Sequence, residues 1–193
     1  TGGLIGVTQD FEVVSIDPET GSWELIVEMS EGMEIADGAP VIVDINPAAD
    51  ALRFMSGTTN HRVNLSSGAV MVDGSLTFTD GTEGTPMVGA TAYSNSYGMP
   101  ESTAMYNIDT DRGALLRQTA PNDGTLATIG MLGVDADHYA IDFEVRGMDD
   151  NVLWMVVGNG IYTVDIETGE AVMEAELDGV EGTVRDIAIL PAM

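Results

Sequence analysis

The sequence contains no cysteine and no lysine, and it has few aromatic residues. The absence of cysteine excludes disulfide bridges, thiolate metal sites and cysteine nucleophiles. Apolar runs such as Leu153–Val157 are far shorter than the roughly 20 residues that a membrane-spanning helix needs, so we expect no transmembrane segment. Six arginines oppose 32 acidic residues, and the net charge is −26. Such a charge repels nucleic acids and anionic membranes, so we expect no nucleic-acid partner.

The acidic balance has three explanations that the sequence leaves open. It keeps a protein soluble, it suits a salty medium in which ions screen self-repulsion, and it suits a basic partner. The chain begins with threonine rather than methionine, which favours a processed mature form. With 193 residues, 44% of them hydrophobic, we expect one domain spanning residues 1–193.

Four segments of the chain share one outline, in which a short apolar strand leads into a turn that ends in glycine. The glycines that end these turns are Gly21, Gly68, Gly124 and Gly169. Their spacings are 47, 56 and 45 residues. Repeats of roughly 40–50 residues built from short strands are typical of propeller blades. Three of the turns begin with Asp17, Asn64 or Asp165, whose side chains can accept hydrogen bonds from the turn backbone, whereas Ala120 departs from the pattern.

Runs of valine, isoleucine, threonine and tyrosine between glycines predict strands that group in fours. The three complete groups are Pro40–Asn46, Ala51–Ser56, Asn60–Leu65 and Ala69–Asp73; Met87–Tyr93, Thr103–Ile108, Ala114–Thr119 and Thr125–Gly130; and His138–Glu144, Asn151–Val157, Gly160–Asp165 and Glu170–Leu177. The strands Leu4–Thr8, Glu12–Ile16 and Ser22–Glu28 complete a fourth group if Thr183–Leu190 joins them.

This grouping predicts an all-β fold. It is a four-bladed β-propeller of four-stranded antiparallel blades, closed by pairing of the C-terminal strand with the N-terminal strands. Closure of this kind removes free sheet edges. A sandwich or barrel of about eight to sixteen strands is the alternative.

Several long motifs carry a family resemblance. They are Asn46-Pro47 with Asp50, Arg53, Ser56 and Asn60 to Asn64; Val88 to Asn95; Pro121 to Leu126 with Ile129 to Asp135; and Val184 to Ile189. Together they resemble domain-of-unknown-function family 4394, found mainly in secreted or surface bacterial proteins. The resemblance implies a repeated-strand propeller outside the cytoplasm and implies no particular activity. Typical members hold one more repeat where Met29–Ala39 joins the first two blades here, which implies a ring shortened by one repeat.

The predicted inner strands place carboxylates at the centre of the ring. Asp44, Asp142 and Asp186 fall at matching positions, and the fourth inner strand has Ala92 there. Carboxylates that converge on a channel repel one another unless a cation, protons or arginine compensate them. Because oxygen ligands suit Ca²⁺, one hypothesis is a metal site formed by the three aspartates. In the alternative, each aspartate accepts hydrogen bonds from backbone N–H groups of the neighbouring inner strand.

Other polar and aromatic residues favour structural roles. Arg53 and Arg62 lie on neighbouring predicted strands and are expected to pair with carboxylates such as Asp50. Trp23 and Trp154 are expected to pack between blades. The acidic pairs Asp109/Asp111 and Asp135/Asp137 lack the full calcium-loop pattern, and turns or a solvated rim explain them.

No catalytic motif stands out, so we predict a non-catalytic extracytoplasmic binding or scaffold propeller. It would be an accessory subunit that docks on a larger assembly, with a basic or membrane-embedded complex among the options. The long loops Thr79–Pro86 and Ser94–Ser102 are the expected contact regions. A Ca²⁺- or glycan-binding surface module is the alternative, and a hydrolase or lyase that uses paired carboxylates is a third reading. Secretion, the periplasm and an organelle lumen all fit.

Overall fold

The computed structural model describes residues 3–35, 38–49, 51–96, 98–147 and 150–190. These residues form sixteen strands and no helix. The strands are β1 (Leu4–Val7), β2 (Glu12–Ile16), β3 (Trp23–Glu28), β4 (Val41–Asn46), β5 (Ala51–Ser56), β6 (Thr59–Asn64), β7 (Val70–Val72), β8 (Thr77–Phe78), β9 (Val88–Tyr93), β10 (Met105–Asp109), β11 (Ala114–Ala120), β12 (Thr125–Met131), β13 (Ala140–Gly147), β14 (Asp150–Val157), β15 (Gly160–Val164) and β16 (Ala171–Glu176).

The strands form four small sheets arranged as a four-bladed propeller. Blade 1 holds β1–β3, blade 2 holds β4–β7, blade 3 holds β8–β12 and blade 4 holds β13–β16. Consecutive strands pair in antiparallel fashion within each blade, apart from β8. The all-β propeller prediction is therefore confirmed, and most predicted strand bounds agree with the observed ones to within two residues.

The repeated turn has the geometry that its sequence predicts. In blade 1, Gly21 donates its N–H to the carbonyl oxygen of Asp17 at 2.8 Å. The Oδ1 atom of Asp17 also accepts hydrogen bonds from the N–H groups of Glu19, at 2.8 Å, and Thr20, at 3.0 Å. Asn64 and Asp165 begin turns with the same set of bonds. All four turn glycines have φ between 69° and 82°, in the left-handed region where a side chain is disfavoured.

Three of these glycines also touch the preceding blade. A Cβ atom on Gly68 would overlap the carbonyl oxygen of Glu28, at the end of β3. The equivalent close approaches join Gly124 to Gly74 and Gly169 to Gly130. The turn of each of these blades therefore packs directly against the backbone at the end of the previous blade, which only glycine allows.

The core of the described part of the chain consists of three hydrophobic clusters, each between successive blades. Val13 of blade 1 packs against Leu52 and Phe54 of blade 2. Between blades 2 and 3 the cluster includes Met55, Val88, Met105, Leu116 and Leu126. Between blades 3 and 4 it includes Ile108, Leu115, Ile141, Phe143 and Leu153. Alternate residues of each blade face opposite neighbours, as the period of two along a strand requires.

Two features of the blades differ from the sequence prediction. Strand β8 was not predicted, because two residues give no periodic signal; it runs parallel to β12 and covers the outer edge of blade 3. Blade 1 has three strands, since Thr183–Leu190 receives no strand assignment and no ladder to β1 is formed by the described residues. The predicted closing ladder therefore stays a prediction.

Candidate functional site

The aspartates of the inner strands hold successive blades together. The Oδ1 atom of Asp44, on β4, accepts the N–H of Ile45 at 2.7 Å, and its Oδ2 atom accepts the N–H of Tyr93 on β9 at 2.7 Å. Asp142, on β13, repeats this pattern with the N–H groups of Phe143 at 2.7 Å and Ile189 at 2.6 Å. Asp44 thus accepts a backbone N–H group from the inner strand of the next blade, and Asp142 accepts one from the C-terminal segment, as the alternative to a metal site expects.

Asp186 departs from the predicted match. Its Oδ1 atom accepts the N–H of Ile187 at 2.9 Å. Asp44, however, bonds to the residue that directly follows Ala92, whereas Asp142 bonds to Ile189, three residues after Asp186. Asp186 is therefore shifted by two residues from the position that the sequence comparison gave it. Such a shift depends on how the C-terminal segment lies against blade 4, which local sequence does not encode.

The three carboxylates share an electrostatic environment that disfavours their charged forms. Burial raises the pKa of Asp44 well above its usual range, and the negative charge of Asp142 adds to the effect, while two backbone N–H bonds oppose it. Burial also raises the pKa of Asp142. Desolvation, with a smaller contribution from Asp142, raises the pKa of Asp186 to about 6. Because water reaches Asp186 from the exposed C-terminal segment, its shift is screened more than that of Asp44.

The predicted metal site is not assembled by side chains alone. Among the residues that the structure describes, no group of three His, Cys, Asp or Glu side chains is placed to hold a metal ion. Both carboxylate oxygens of Asp44, and both of Asp142, instead accept hydrogen bonds from backbone N–H groups. The Ca²⁺ hypothesis stays a prediction.

A buried arginine joins blade 2 to blade 3. Arg53 is 1% exposed, and its Nη1 atom donates to Asp73 Oδ2 at 2.7 Å. Its other bonds run to Asn60 Oδ1 at 3.0 Å, Asn122 Oδ1 at 3.1 Å and Tyr93 Oη at 3.2 Å. Arg53 therefore links its own blade to both the inner strand and the turn of blade 3.

Asp73 is the shared acceptor that the sequence analysis missed. Arg62 donates to it through Nε at 2.7 Å and Nη2 at 2.8 Å, which makes a bidentate pair beside the Arg53 contact. The two arginines are cross-strand neighbours in the β5–β6 ladder, as predicted. The expected partner Asp50 lies outside the described residues. Asp73 follows the short strand β7, and nothing in its local sequence distinguishes it from other acidic residues.

A surface recess of about 410 Å³ lies in front of this cluster. It is lined by Asn46, Ala120, Pro121, Asn122 and Asp123. The turn that forms one wall is fixed from behind, because Pro121 accepts hydrogen bonds at its carbonyl oxygen from Asn60 Nδ2 at 2.8 Å and from Gln118 Nε2 at 3.0 Å. With Arg53 holding Asn122, the wall is preorganised. The motifs at Asn46 and Pro121 were the available sequence signal for this site.

A second recess brings Asp111 together with the acidic pair Asp135 and Asp137. It has a volume of about 560 Å³ and is lined by Thr110, Asp111, Asp135, Ala136, Asp137 and Tyr139. Asp109 does not join it, since its carboxylate pairs with Arg112 at 2.7 Å. Tyr139 is committed to the local backbone, donating to the carbonyl oxygen of Val134 and accepting the N–H of Ala136, both at 2.9 Å. These contacts agree with the interpretation of the pairs as turns.

The two loops expected to contact a partner are tied to the propeller. In the loop Thr79–Pro86, Asp80 accepts the N–H of Thr128, and Arg112 donates to the carbonyl oxygen of Glu83 at 2.7 Å. In the loop Ser94–Ser102, whose residue 97 lies outside the described residues, Asn95 exchanges two hydrogen bonds with Asn151 of blade 4, at 2.7 and 2.8 Å. Both loops are therefore held at defined positions, and Met99 projects from the second.

These features define a class of protein, a small β-propeller with a preorganised polar recess on its surface. The chain belongs to the family described as Domain of unknown function (DUF4394), whose model matches residues 1–188. The resemblance stated from the sequence motifs is thereby confirmed.

Comparison with solved structures supports the fold. A luciferin-regenerating enzyme aligns with 97% of this chain at 13% identity and a TM-score of 0.54, and the chain spans 65% of that enzyme's length. PorZ, a bacterial surface component of the type-IX secretion system of Porphyromonas gingivalis, aligns with 89% of this chain at 8% identity and a TM-score of 0.48, over 20% of its own length. The search of curated proteins gave no significant match. The likeness to the luciferin-regenerating enzyme concerns the fold alone, and nothing is concluded from the likeness to PorZ.

The described residues include no helix that is long and apolar enough to cross a membrane.

Proposed function

We propose that this propeller is a non-catalytic extracytoplasmic binding module, which docks on a protein assembly through the recess lined by Asn46 and Pro121–Asp123. The observation that carries the proposal is the preorganised turn at Pro121 and Asn122, held by Arg53, Asn60 and Gln118. A rigid site loses little conformational entropy on binding. The recess, about 410 Å³ in volume, is open to solvent, which suits contact with a protein surface rather than enclosure of a small ligand.

The chemistry of the recess supports binding rather than turnover. Its side chains offer the amides of Asn46 and Asn122 and a single carboxylate, Asp123. Hydrolysis of a glycosidic bond needs a pair of carboxylates. Amides and one carboxylate instead suit hydrogen bonds to a peptide backbone or to a basic side chain.

The partner that fits is a protein whose contact surface carries arginine or lysine. With a net charge of −26, the chain attracts a basic surface from a distance and repels an acidic one. Asp123 supplies the local charge within the recess. Family members that are secreted or surface proteins support an extracytoplasmic location for this encounter.

Site-specific photo-cross-linking in extracts of the native source tests the proposal. A photoreactive residue replaces Ala120, which lines the recess and leaves Asp123 in place, in one variant and Asp10, an exposed residue outside the recess, in the control. We expect a defined protein adduct from position 120, reduced by competition with a lysine-rich peptide, and none from position 10. Equal labelling at both positions, or none at position 120, would contradict the proposal.

A second candidate function is cation binding at the centre of the ring. The supporting observation is that Asp142 raises the pKa of both Asp44 and Asp186, so that a bound cation would relieve like-charge repulsion. Calorimetric titration of the metal-stripped protein with Ca²⁺ tests it. We expect heat and a higher melting temperature for the wild type and neither for Asp142→Asn. A wild type without heat or thermal stabilisation would exclude the candidate.

A further inference from the structure

Each blade has the same exit, a single residue position through which the chain leaves the blade. This exit residue lies eight positions after the turn glycine of its blade. Its N–H donates to a carbonyl oxygen in a hairpin turn of the same blade, at 2.7–3.0 Å. The exit residues of blades 1 to 4 are Met29, Leu76, Leu132 and Leu177. The chain therefore leaves blade 4 in the same way as it leaves the other three blades.

After three of the four exit residues, the chain docks on the turn of the next blade. Ser30 donates its N–H to the carbonyl oxygen of Gly68, the turn glycine of blade 2, at 2.8 Å. Thr77 makes the same bond to the turn glycine of blade 3 at 2.9 Å. At blade 4 the bond runs in the other direction, since the carbonyl oxygen of Leu132 accepts the N–H of Ala171 at 3.0 Å. Main-chain hydrogen bonds thus fasten three of the connections between blades.

The segment that leaves blade 4 makes no such bond. Asp178 directly follows the exit residue, yet no hydrogen bond joins residues 178–190 to blade 1 in the described part of the chain. A Cβ atom on Gly21, the turn glycine of blade 1, would meet nothing within 4 Å, whereas those on the other three turn glycines would meet backbone atoms. Strand β1 pairs with β2 alone among the described strands, although the matching strands β5, β10 and β14 each have two partners. Blade 1 therefore lacks both the docked connection and the innermost strand that the other blades possess.

Blade 4 holds both ends of the undocked segment, residues 178–188, which we call the strap. At its start, the N–H of Leu177 is bonded to the hairpin of blade 4 at 2.7 Å. At its end, the N–H of Ile189 donates to Asp142 Oδ2 at 2.6 Å. The first half of the strap is exposed to solvent, and the side chain of Val180 is 48% exposed. The strap is therefore tethered to blade 4 at two points, with an exposed stretch between them.

Like charges on the strap and on blade 1 oppose docking. Asp178 and Glu181 lie in the strap, and Asp17 and Glu19 lie in the turn that ends in Gly21. The docked connections have an uncharged residue directly after the exit residue in each case, namely Ser30, Thr77 and Gly133. Repulsion between exposed charges is screened over about 10 Å at 0.1 M salt and over about 3 Å at 1 M. Docking of the strap is therefore disfavoured at low salt by a repulsion that the other connections lack.

We propose that the strap docks on blade 1 and closes the ring when salt screens its carboxylates, and that it undocks at low ionic strength. In the docked state the N–H of Asp178 donates to the carbonyl oxygen of Gly21, as the connections into blades 2 and 3 do at their turn glycines. Residues 183–190 then pair with the open edge of β1, which removes an unpaired sheet edge. Gly179 and Gly182, with φ of 72° and 93°, permit the change of path between the two tethers. This response to salt is independent of the recess and of any partner bound there.

Native-state hydrogen exchange on the wild-type chain tests the proposal. Between about 0.05 M and about 2 M KCl, we expect amide exchange in β1 and in residues 183–189 to slow by more than about tenfold relative to exchange in β10. Because β10 pairs along both edges, it corrects for the general effect of salt on stability. Relative exchange in β1 that does not change with salt, whether fast or slow, overturns the proposal.

Charge variants test whether the carboxylates control docking. Asp178→Ser combined with Glu181→Gln removes both strap charges and places serine where the connection into blade 2 has Ser30. We expect this double variant to show slow exchange in β1 already at low salt. Glu101→Gln combined with Asp111→Ser removes two exposed carboxylates elsewhere and should keep the salt dependence of the wild type. If the two double variants respond to salt alike, the strap charges do not control docking and the proposal fails.

Disulfide trapping tests the docked register on a chain that has no cysteine of its own. In blade 3, Thr77 pairs with Thr125, the residue after the turn glycine. The same register places Asp178 opposite Ser22. In about 2 M KCl we expect Ser22→Cys with Asp178→Cys to form an intramolecular disulfide, and Ser22→Cys with Glu101→Cys to form none. The absence of a disulfide in the first pair, or an equal yield from both pairs, rules out docking at this turn.

Discussion

Replacement of Arg53 by methionine tests the cluster that joins blades 2 and 3 and fixes the recess. The change keeps an apolar stem of similar length and removes the bonds to Asp73, Asn60, Asn122 and Tyr93. Loss of one partner of a buried ion pair costs about 3–5 kcal/mol. Because Asp73 keeps its ion pair with Arg62, we expect Arg53→Met to lower the free energy of unfolding by about 3 kcal/mol, near the lower end of that range.

Arg146 provides the matched control. It pairs with Glu144 at 2.8 Å, and Arg146 is 51% exposed, so that Arg146→Met should cost at most about 0.5 kcal/mol. Urea unfolding at fixed salt, followed by tryptophan fluorescence, gives both values from the midpoints. If the free energies of unfolding of Arg53→Met and Arg146→Met differ by less than about 1 kcal/mol, the cluster around Arg53 does not stabilise the junction between blades 2 and 3. The argument for a preorganised recess then fails.

Two further predictions concern the turns and the centre of the ring. Gly21→Ala should lower the free energy of unfolding by about 1 kcal/mol, because its positive φ alone disfavours a side chain. Gly68→Ala should lower it by about 3 kcal/mol, because the added Cβ atom would also overlap the carbonyl oxygen of Glu28. Equal midpoints for the two variants in urea unfolding would refute the close approach. Asp186 has a folded-state pKa above its unfolded value, so its charge destabilises the fold above pH 6 and the penalty fades as the pH falls toward 3.8. Asp186→Asn can keep the bond from Ile187 and, after allowance for solvent screening, should stabilise the protein by about 1 kcal/mol at pH 7.5 and not at pH 4; a melting-temperature difference independent of pH would contradict this.

The parts of the fold that could be predicted are those that local sequence determines. The turn from Asp17 to Gly21 carries its own hydrogen-bond acceptor and its own left-handed residue, so the repeat and the blades followed from it. Short runs of strand-forming residues between turn residues placed β5 and β2 at their observed bounds. The channel aspartates Asp44 and Asp142 were found because they recur at one strand position.

The rest depends on tertiary contacts that no local pattern encodes. Asp73 became the partner of Arg53 because the end of β7 lies beside β5 and β6, whereas proximity in sequence had suggested Asp50. The shift of Asp186 follows from the path of the C-terminal segment across blade 4. Trp23 was expected to pack between blades, but it is 57% exposed. The described residues form no hydrophobic cluster between blade 4 and blade 1, and nothing in the sequence around Trp23 indicates this.

The most direct test of binding through the recess is the composition of the complex captured from the native source. The tagged wild-type chain and Asp123→Lys, which reverses the charge in the recess, are purified in parallel at the salt concentration of the source. We predict a basic protein in fixed stoichiometry with the wild type, lost from the Asp123→Lys sample, and cross-linked peptides that contain residues 120–123. Recovery of the wild-type chain with no other protein, or an identical complex with Asp123→Lys, would contradict the account.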